Sequence, residues 1–265
     1  MALVSKRAMF YLKPMLNQIV HGETTTVPAL LIVHGLYGSG RNWGVIAKRM
    51  SDSRQVIAVD QRNHGFSDWH DSHSYFDMAE DLAEVIRAHG QPMDVLGHSM
   101  GGKAAMVLAL KYPELVNRLV VADIAPVAYT HSQVQYITAM RGVDLARVHK
   151  RSDAEAQLRD LVDDPVLPTF FTQSLDVAAK RWRLNLDVLE REMPNVLGFP
   201  EVSGVFDKPV LFLSGADSEY VTREMRPKIK GLFPASKFAK IPGAGHWLHA
   251  EKPREFEAAL RSWLQ

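Results

Sequence analysis

The pentapeptide Gly97-His98-Ser99-Met100-Gly101 has the residue types and spacing of a serine set up to attack an acyl carbonyl. A serine hydroxyl is a weak nucleophile until a neighbouring base takes its proton. The G-x-S-x-G spacing serves that chemistry when a strand precedes it and a helix follows, because the sharp turn lifts the hydroxyl clear of the sheet. Met93–Leu96 reads as the strand and the segment from Met100 as the helix. Gly97 and Gly101 leave room for neighbouring backbone that a side chain would obstruct. The turn also brings the Met100 amide to a helix N-terminus, where it can stabilise negative charge on a carbonyl oxygen.

A base and an acid must complete such a site, and eleven histidines compete for the first role. His98 adjoins Ser99 on an extended segment and is expected to point to the opposite side. His34 and His64 sit at strand-end turns, where structural hydrogen bonds are expected. His70 and His73 form H-x-x-H in a polar loop without a third ligand at useful spacing, so no metal site is expected. His246 lies in Pro242-Gly243-Ala244-Gly245-His246-Trp247, between the last strand and the last helix. That loop reaches the C-terminal edge of the sheet, where ligands bind in open α/β folds. His246 is therefore the expected base, with His249 in reserve. Two aspartates end strands on the same edge: Asp123 after Leu119–Ala122, and Asp217 after Val210–Leu213. Either could fix the histidine tautomer and stabilise its cation.

The elements that must position these residues are legible as short β-branched runs: Val27–Val33, Val56–Val59, Asp94–Leu96, Leu119–Ala122, Val210–Leu213 and Phe238–Ile241. Helix-period segments alternate with most of them. Ser74 opens one, with Asp77 three residues on and Ala79, Leu82, Ala83 and Ile86 on one face. Met100–Leu110 and Arg254–Leu264 are further helices. This alternation predicts an α/β fold, a mostly parallel sheet flanked by helices. The rhythm breaks between Pro126 and Gly204, a helix-like stretch containing Ala154–Val162 and Val177–Arg191 and no convincing strand. Roughly 80 residues is too long for one crossover. We expect an α-helical cap over 126–204, inserted into a core made of 1–125 and 205–265. Tyr129, Tyr136, Phe170, Phe171 and Trp182 are its candidates for an acyl pocket, while Lys103 reads as a helix-face lysine.

Composition narrows the classes. The 265 residues are 46% hydrophobic and 23% charged, as in an ordinary globular domain. Lys plus Arg number 31 against 30 Asp plus Glu, a net charge of +1, which gives no basic field to suggest nucleic acid. There are no cysteines, so disulfides, thiolate metal sites and cysteine nucleophiles are excluded. No apolar run reaches the roughly 20 residues of a membrane span. Lys6, Arg7 and Lys13 interrupt any signal-peptide core, so a soluble, uncleaved, cytoplasmic chain is expected.

The sequence resembles the α/β-hydrolases from about Val27 to the C-terminus. Val33-His34-Gly35-Leu36 is similar to the family's oxyanion-hole motif, and Asp60-Gln61-Arg62-Asn63-His64-Gly65-Phe66-Ser67 to its D-x-R-G-H-G-x-S turn, with Asn63 for the usual glycine. Gly97–Lys103, the DxRNHGxS turn and Asp123-Ile124-Ala125-Pro126 are most similar to the small YbfF-type carboxylesterases. The resemblance implies the chain order Ser, Asp, His, and oxyanion stabilisation by the amides of Leu36 and Met100. In the family's commoner pattern, G-x-x-D-x-x-V, Ser218 stands at the acid's place and Asp217 one residue early. The YbfF-type pattern instead implies Asp123 as the acid, with Ser218 a hydrogen-bonding neighbour. It implies a cofactor-free serine hydrolase of esters or thioesters, acyl-CoA among them, working through an acyl-enzyme. A carbon–carbon bond hydrolase or a hydrolase-like ligand receptor could carry the same three residues. Dehalogenases and epoxide hydrolases of this fold carry aspartate where Ser99 stands.

Overall fold

The computed structural model describes residues 16–265, so the N-terminal stretch with Lys6, Arg7 and Lys13 lies outside the described residues. The chain runs β1 (Gln18–His21), β2 (Leu30–Val33), α1 (Gly44–Met50), β3 (Val56–Val59), α2 (Tyr75–His89), β4 (Met93–His98), α3 (Met100–Lys111) and β5 (Val116–Ala122). Between β5 and the next strand of the main sheet come α4 (Val134–Gly142), α5 (Arg151–Arg159), α6 (Leu167–Thr172), β6 (Leu175–Asp176), β7 (Arg181–Trp182), α7 (Leu186–Arg191) and α8 (Met193–Leu197). It closes with β8 (Val210–Gly215), α9 (Arg226–Leu232), β9 (Ser236–Ile241), α10 (Leu248–Glu251) and α11 (Pro253–Leu264).

Seven strands form one sheet in the order β1-β3-β2-β4-β5-β8-β9. β1 pairs antiparallel with β3, and every other neighbouring pair is parallel. Strands buried on both faces need apolar side chains on both, which explains the unbroken runs Leu30–Val33 and Val56–Val59. Successive residues of β2 divide between two apolar layers. Leu31 and Val33 join the layer under α2 and α3, whereas Leu30 and Ile32 join the layer under α1 and α11. Helix α2 starts as its spacing predicts: Ser74 Oγ accepts from the Asp77 amide at 3.2 Å, and Gly90 ends the helix at φ +78°.

Two expectations need correction. The antiparallel edge strand β1 has no counterpart among the runs read from sequence. Val177–Arg191 is not one helix: it contains the end of a two-residue-per-strand hairpin, β6 with β7, and only Leu186–Arg191 is helical. The hairpin's exit is tied to the core, where the Gly65 amide donates to Arg183 O at 2.8 Å and the Asn185 amide to Asn63 O at 3.0 Å. A helix there would have used those groups internally.

Further bonds seat the 126–204 segment on the strand ends. Tyr37 Oη donates to Gln133 O at 2.9 Å, Tyr75 Oη to Val196 O at 2.6 Å and Ser174 Oγ to Tyr37 O at 2.9 Å. Lys103 is not a surface lysine; it is only 2% exposed. Its Nζ donates to Val196 O at 3.4 Å, Leu197 O at 2.8 Å and Gly198 O at 2.5 Å, at the end of α8. Among the described residues, no helix is long and apolar enough to cross a membrane.

Candidate active site

Ser99 sits between β4 and α3 at φ 52° and ψ −122°, backbone that an L-residue adopts only under constraint. The constraint is close packing. A Cβ on Gly97 would lie 2.3 Å from Gly101 O, and one on Gly101 would lie 2.3 Å from Val33 O. Only glycine fits either place, so β2, β4 and α3 converge beneath Ser99.

Asp123 follows β5 with φ 51°, its amide bonded to Leu213 O at 2.9 Å. Its fully buried carboxylate accepts from the Gly215 amide at 3.1 Å (Oδ1), from Ser218 Oγ at 2.5 Å (Oδ2) and from His246 Nδ1 at 2.7 Å (Oδ2). His246 Nε2 lies 3.1 Å from Ser99 Oγ. An ionised carboxylate only accepts, so the imidazole proton sits on Nδ1 and the Nε2 lone pair faces the serine hydroxyl. Asp217 is exposed on the turn after β8, and no hydrogen bond joins it to His246 among the described residues. Ser218 thus reaches Asp123 from the register where the commoner family pattern has a carboxylate. The Tyr220 ring stacks on His246, centroids 4.0 Å apart. Burial, helped by the Asp123 carboxylate, pushes the Tyr220 phenol up to about 12, so it stays protonated near neutral pH.

The loop after β2 passes directly beside Ser99. A Cβ on Gly35 would lie 3.2 Å from Ser99 Cβ. Leu36 and Met100 both line the cavity over Ser99, and neither amide donates to a backbone carbonyl among the described residues. Tyr37 holds φ 63°, and its amide donates to His64 Nε2 at 3.2 Å. His64 in turn donates from Nδ1 to Arg62 O at 2.9 Å. Burial, with His34 and His73 nearby, holds its pKa well below the usual imidazole value, so Nε2 remains an acceptor.

His98 points away from the Ser99 cavity, as expected, but is not idle there. It is buried against Trp43 and His249 and donates from Nε2 to His246 O at 2.9 Å, bracing the segment that carries His246. Burial first, then His246 and His249, lowers its pKa well below the usual value. His249 stacks on Trp43 at 4.1 Å, and burial drops its pKa to about 3. His73 lies in the loop before α2 but is fully buried there, with Nε2 3.3 Å from Met100 Sδ. The His70 amide donates to Asn63 Oδ1 at 2.8 Å. Among the described residues, no three His, Asp or Glu side chains are grouped to hold a metal ion. Asn63, at φ 66°, keeps the left-handed conformation its glycine counterpart would take, and its Oδ1 also accepts from Asn185 Nδ2 at 3.0 Å.

Above Ser99 and His246 lies a cavity of about 190 Å³. Tyr129, Tyr136, Leu167, Phe170 and Phe171 line it from the 126–204 segment. Trp182 does not; it is buried, and its Nε1 donates to Met140 O at 2.9 Å. Lys103 was missed from sequence and does line the wall, its pKa lowered by burial to about 7. Nothing local to Lys103 signalled this, since its acceptors lie on α8 and just beyond it.

Comparison with known proteins agrees with the geometry. The sequence profile described as alpha/beta hydrolase fold matches residues 28–253. The chain is 37% identical over 262 residues to the mouse sn-1-specific diacylglycerol lipase ABHD11, covering 95% of this chain and 85% of that protein. It is 35% identical over 241 residues to the esterase YbfF of Escherichia coli K12, covering 89% and 92%. A solved marine microorganism esterase superposes with a TM-score of 0.89 at 38% identity, covering 95% of this chain and all of that one. With Ser99, Asp123 and His246 joined on one sheet edge and the sequence match spanning most of the chain, this protein belongs to the α/β-hydrolase family, similar to its YbfF-type esterases.

Proposed function

We propose that the protein is a serine hydrolase of carboxylic esters and thioesters, working through an acyl-enzyme on Ser99. The observation that carries this is the continuous chain Asp123–His246–Ser99, with contacts of 2.7 and 3.1 Å, opening into a cavity lined in part by aromatic rings. Ser99 Oγ attacks the acyl carbon while His246 Nε2 takes its proton. Negative charge then grows on the carbonyl oxygen, and the Leu36 and Met100 amides are the groups beside Ser99 suited to receive it. Asp123 holds the Nδ1–H tautomer and stabilises the imidazolium. It is itself fixed by Ser218 and the Gly215 amide. His246 returns its proton to the departing alcohol or thiol, then activates the water that releases the acid. Each step uses groups of this chain and water.

The relatives named esterase and lipase support an ester as substrate. A thioester offers the same acyl carbon, and the aromatic lining suits an apolar acyl group. The test is Ser99→Ala with p-nitrophenyl acyl esters and a fluorophosphonate probe. Turnover is expected to fall on the order of 10⁶-fold, with loss of covalent labelling and an unchanged thermal midpoint. Labelling retained in the variant would remove Ser99 from the role.

A further inference from the structure

A second concavity, separate from the Ser99 cavity, opens where the core meets the 126–204 segment. Arg41 and Phe66 form its core side, and Lys150, Arg151, Asp176 and Arg183 face them across about 380 Å³. Its narrow inner end runs past Ser39 and Ser174 to the Asp60 carboxylate.

The charge in this groove is unbalanced, whereas the chain as a whole is nearly neutral at +1. Arg41, Lys150, Arg151 and Arg183 face Asp176 and Asp60. Both carboxylates are already committed. Asp176 accepts from Arg183 Nη2 at 2.5 Å and from the Ala179 amide at 3.1 Å. Asp60 accepts from the amides of Gly40 at 2.7 Å and Phe66 at 2.9 Å, and from Asn17 Nδ2 at 2.9 Å. Among the described residues, the Arg183–Asp176 pair is the one ion pair in the groove. Among the described residues, Arg151 gives only Nε, to Thr172 O at 3.1 Å, and its terminal nitrogens make no hydrogen bond. Lys150 and Arg151 also stand at the start of α5, the positive end of the helix, where cations are disfavoured. Like charges gathered from three separate segments repel one another unless an anion joins them. Arg183 is held over Phe66, its guanidinium carbon 3.8 Å from the ring centroid, so one cation is already positioned.

We propose that this groove binds a phosphate group, as a phosphomonoester or diphosphate. Planar guanidinium forks match phosphate oxygens, and Arg41 on the core and Arg151 on the opposite wall could grip one group from both sides. The groove backs onto the wall of the Ser99 cavity. Tyr37 and Phe171 line the cavity, Ser39 and Ser174 line the groove, and Ser174 Oγ bonds Tyr37 O at 2.9 Å between them. A bound phosphate would therefore clamp the 126–204 segment to the core next to the loop that carries Leu36. The phosphate could belong to a thioester's leaving group or be free in solution. Its binding stands without the hydrolase reading, and only the kinetic arm below rests on that reading.

The test uses the full chain and the variants Arg41→Gln and Lys150→Gln, whose side chains make no hydrogen bond or ion pair among the described residues. Isothermal titration with inorganic pyrophosphate is expected to show saturable binding that each variant weakens about tenfold or more. No binding, or binding unchanged in both variants, overturns the proposal. In the kinetic arm, one acyl group is presented as its coenzyme A thioester and as its N-acetylcysteamine thioester, which lacks phosphate. A selective rise in KM for the coenzyme A ester in the variants assigns the groove to the leaving group. Equal kinetics on both, with weakened pyrophosphate binding, assigns it to a free anion. Failure of either thioester to turn over counts against the hydrolase reading alone, and the titration still decides the groove.

Discussion

Asp123 and Asp217 differ in reach rather than in chemistry. Asp123 is buried with Oδ2 2.7 Å from His246 Nδ1, while Asp217 faces solvent. Asp123→Asn should therefore present an amide to the imidazole and favour the wrong tautomer, at a cost of roughly 10⁴ in kcat. Asp217→Asn should stay within about tenfold, or ~1.4 kcal/mol of barrier. Steady-state kinetics on one ester decide between them, and a crippled Asp217→Asn beside an active Asp123→Asn would reverse the assignment. The two histidines of the last loop separate in the same way. His246→Ala should abolish turnover. His249→Ala should instead lower the unfolding midpoint, because it removes the ring stacked 4.1 Å from Trp43. Comparable losses of kcat/KM in both would leave the base unassigned.

The strand–turn–helix element that presents Ser99 depends on backbone contact. A Cβ on Gly101 would meet Val33 O at 2.3 Å and His34 O at 2.4 Å, atoms of β2 and of the loop beside the nucleophile. Neither Val33 O nor His34 O can retreat without disturbing β2 or the loop that follows it. Gly101→Ala should lose about 3 kcal/mol or more, at the upper end of what overpacking costs. Gly231, in α9, has nothing within 4 Å of the same construction. Gly231→Ala should be stabilising by roughly 0.5–1 kcal/mol, the helix preference of alanine over glycine. Urea unfolding of the two variants tests the contrast, and similar shifts would show that the elbow tolerates a side chain.

At the scale of the whole molecule, five histidines are buried among the described residues: His34, His64, His73, His98 and His249. Burial lowers the pKa of each, to about 3 for His73 and His249. The unfolded chain protonates its histidines near pH 6.5, while these stay neutral in the fold. The stability they contribute is thus complete above about pH 6.5 and is lost as pH falls toward the folded values. His73 and His249, with folded values of about 3, should each cost ~1.4 kcal/mol per pH unit within that window, and the other three add to the loss in the same direction. The urea midpoint should drop steeply between pH 6.5 and 4.5, before most carboxylates titrate. His249→Phe, which keeps a ring against Trp43, should make the drop shallower. A flat midpoint over that range would contradict the buried neutral histidines.

Much of this molecule is legible locally. β-Branched runs mark the central strands because strands buried on both faces leave no polar position. The elbow is legible because its glycines answer to contacts within one turn and one neighbouring strand. Ser218, standing where the commoner family pattern has a carboxylate, is enough to direct attention to Asp123. Other features have no local signature. β1 is a four-residue edge strand whose residues are partly exposed, so it lacks both an apolar run and a clean alternation. β6 and β7 are too short for any period, and the contacts at the hairpin's exit are to Asn63 and Gly65. Lys103 looks like a solvated lysine because its acceptors lie 93 to 95 residues away. His98 becomes a brace only once the His246 loop, 148 residues on, folds over it. The sequence alone determined the central strands, the long core helices and the turn at Ser99, because these follow from neighbours along the chain. Which polar side chains were buried, and against what, was decided by tertiary structure, because a buried polar group is stable only where distant segments supply its partners.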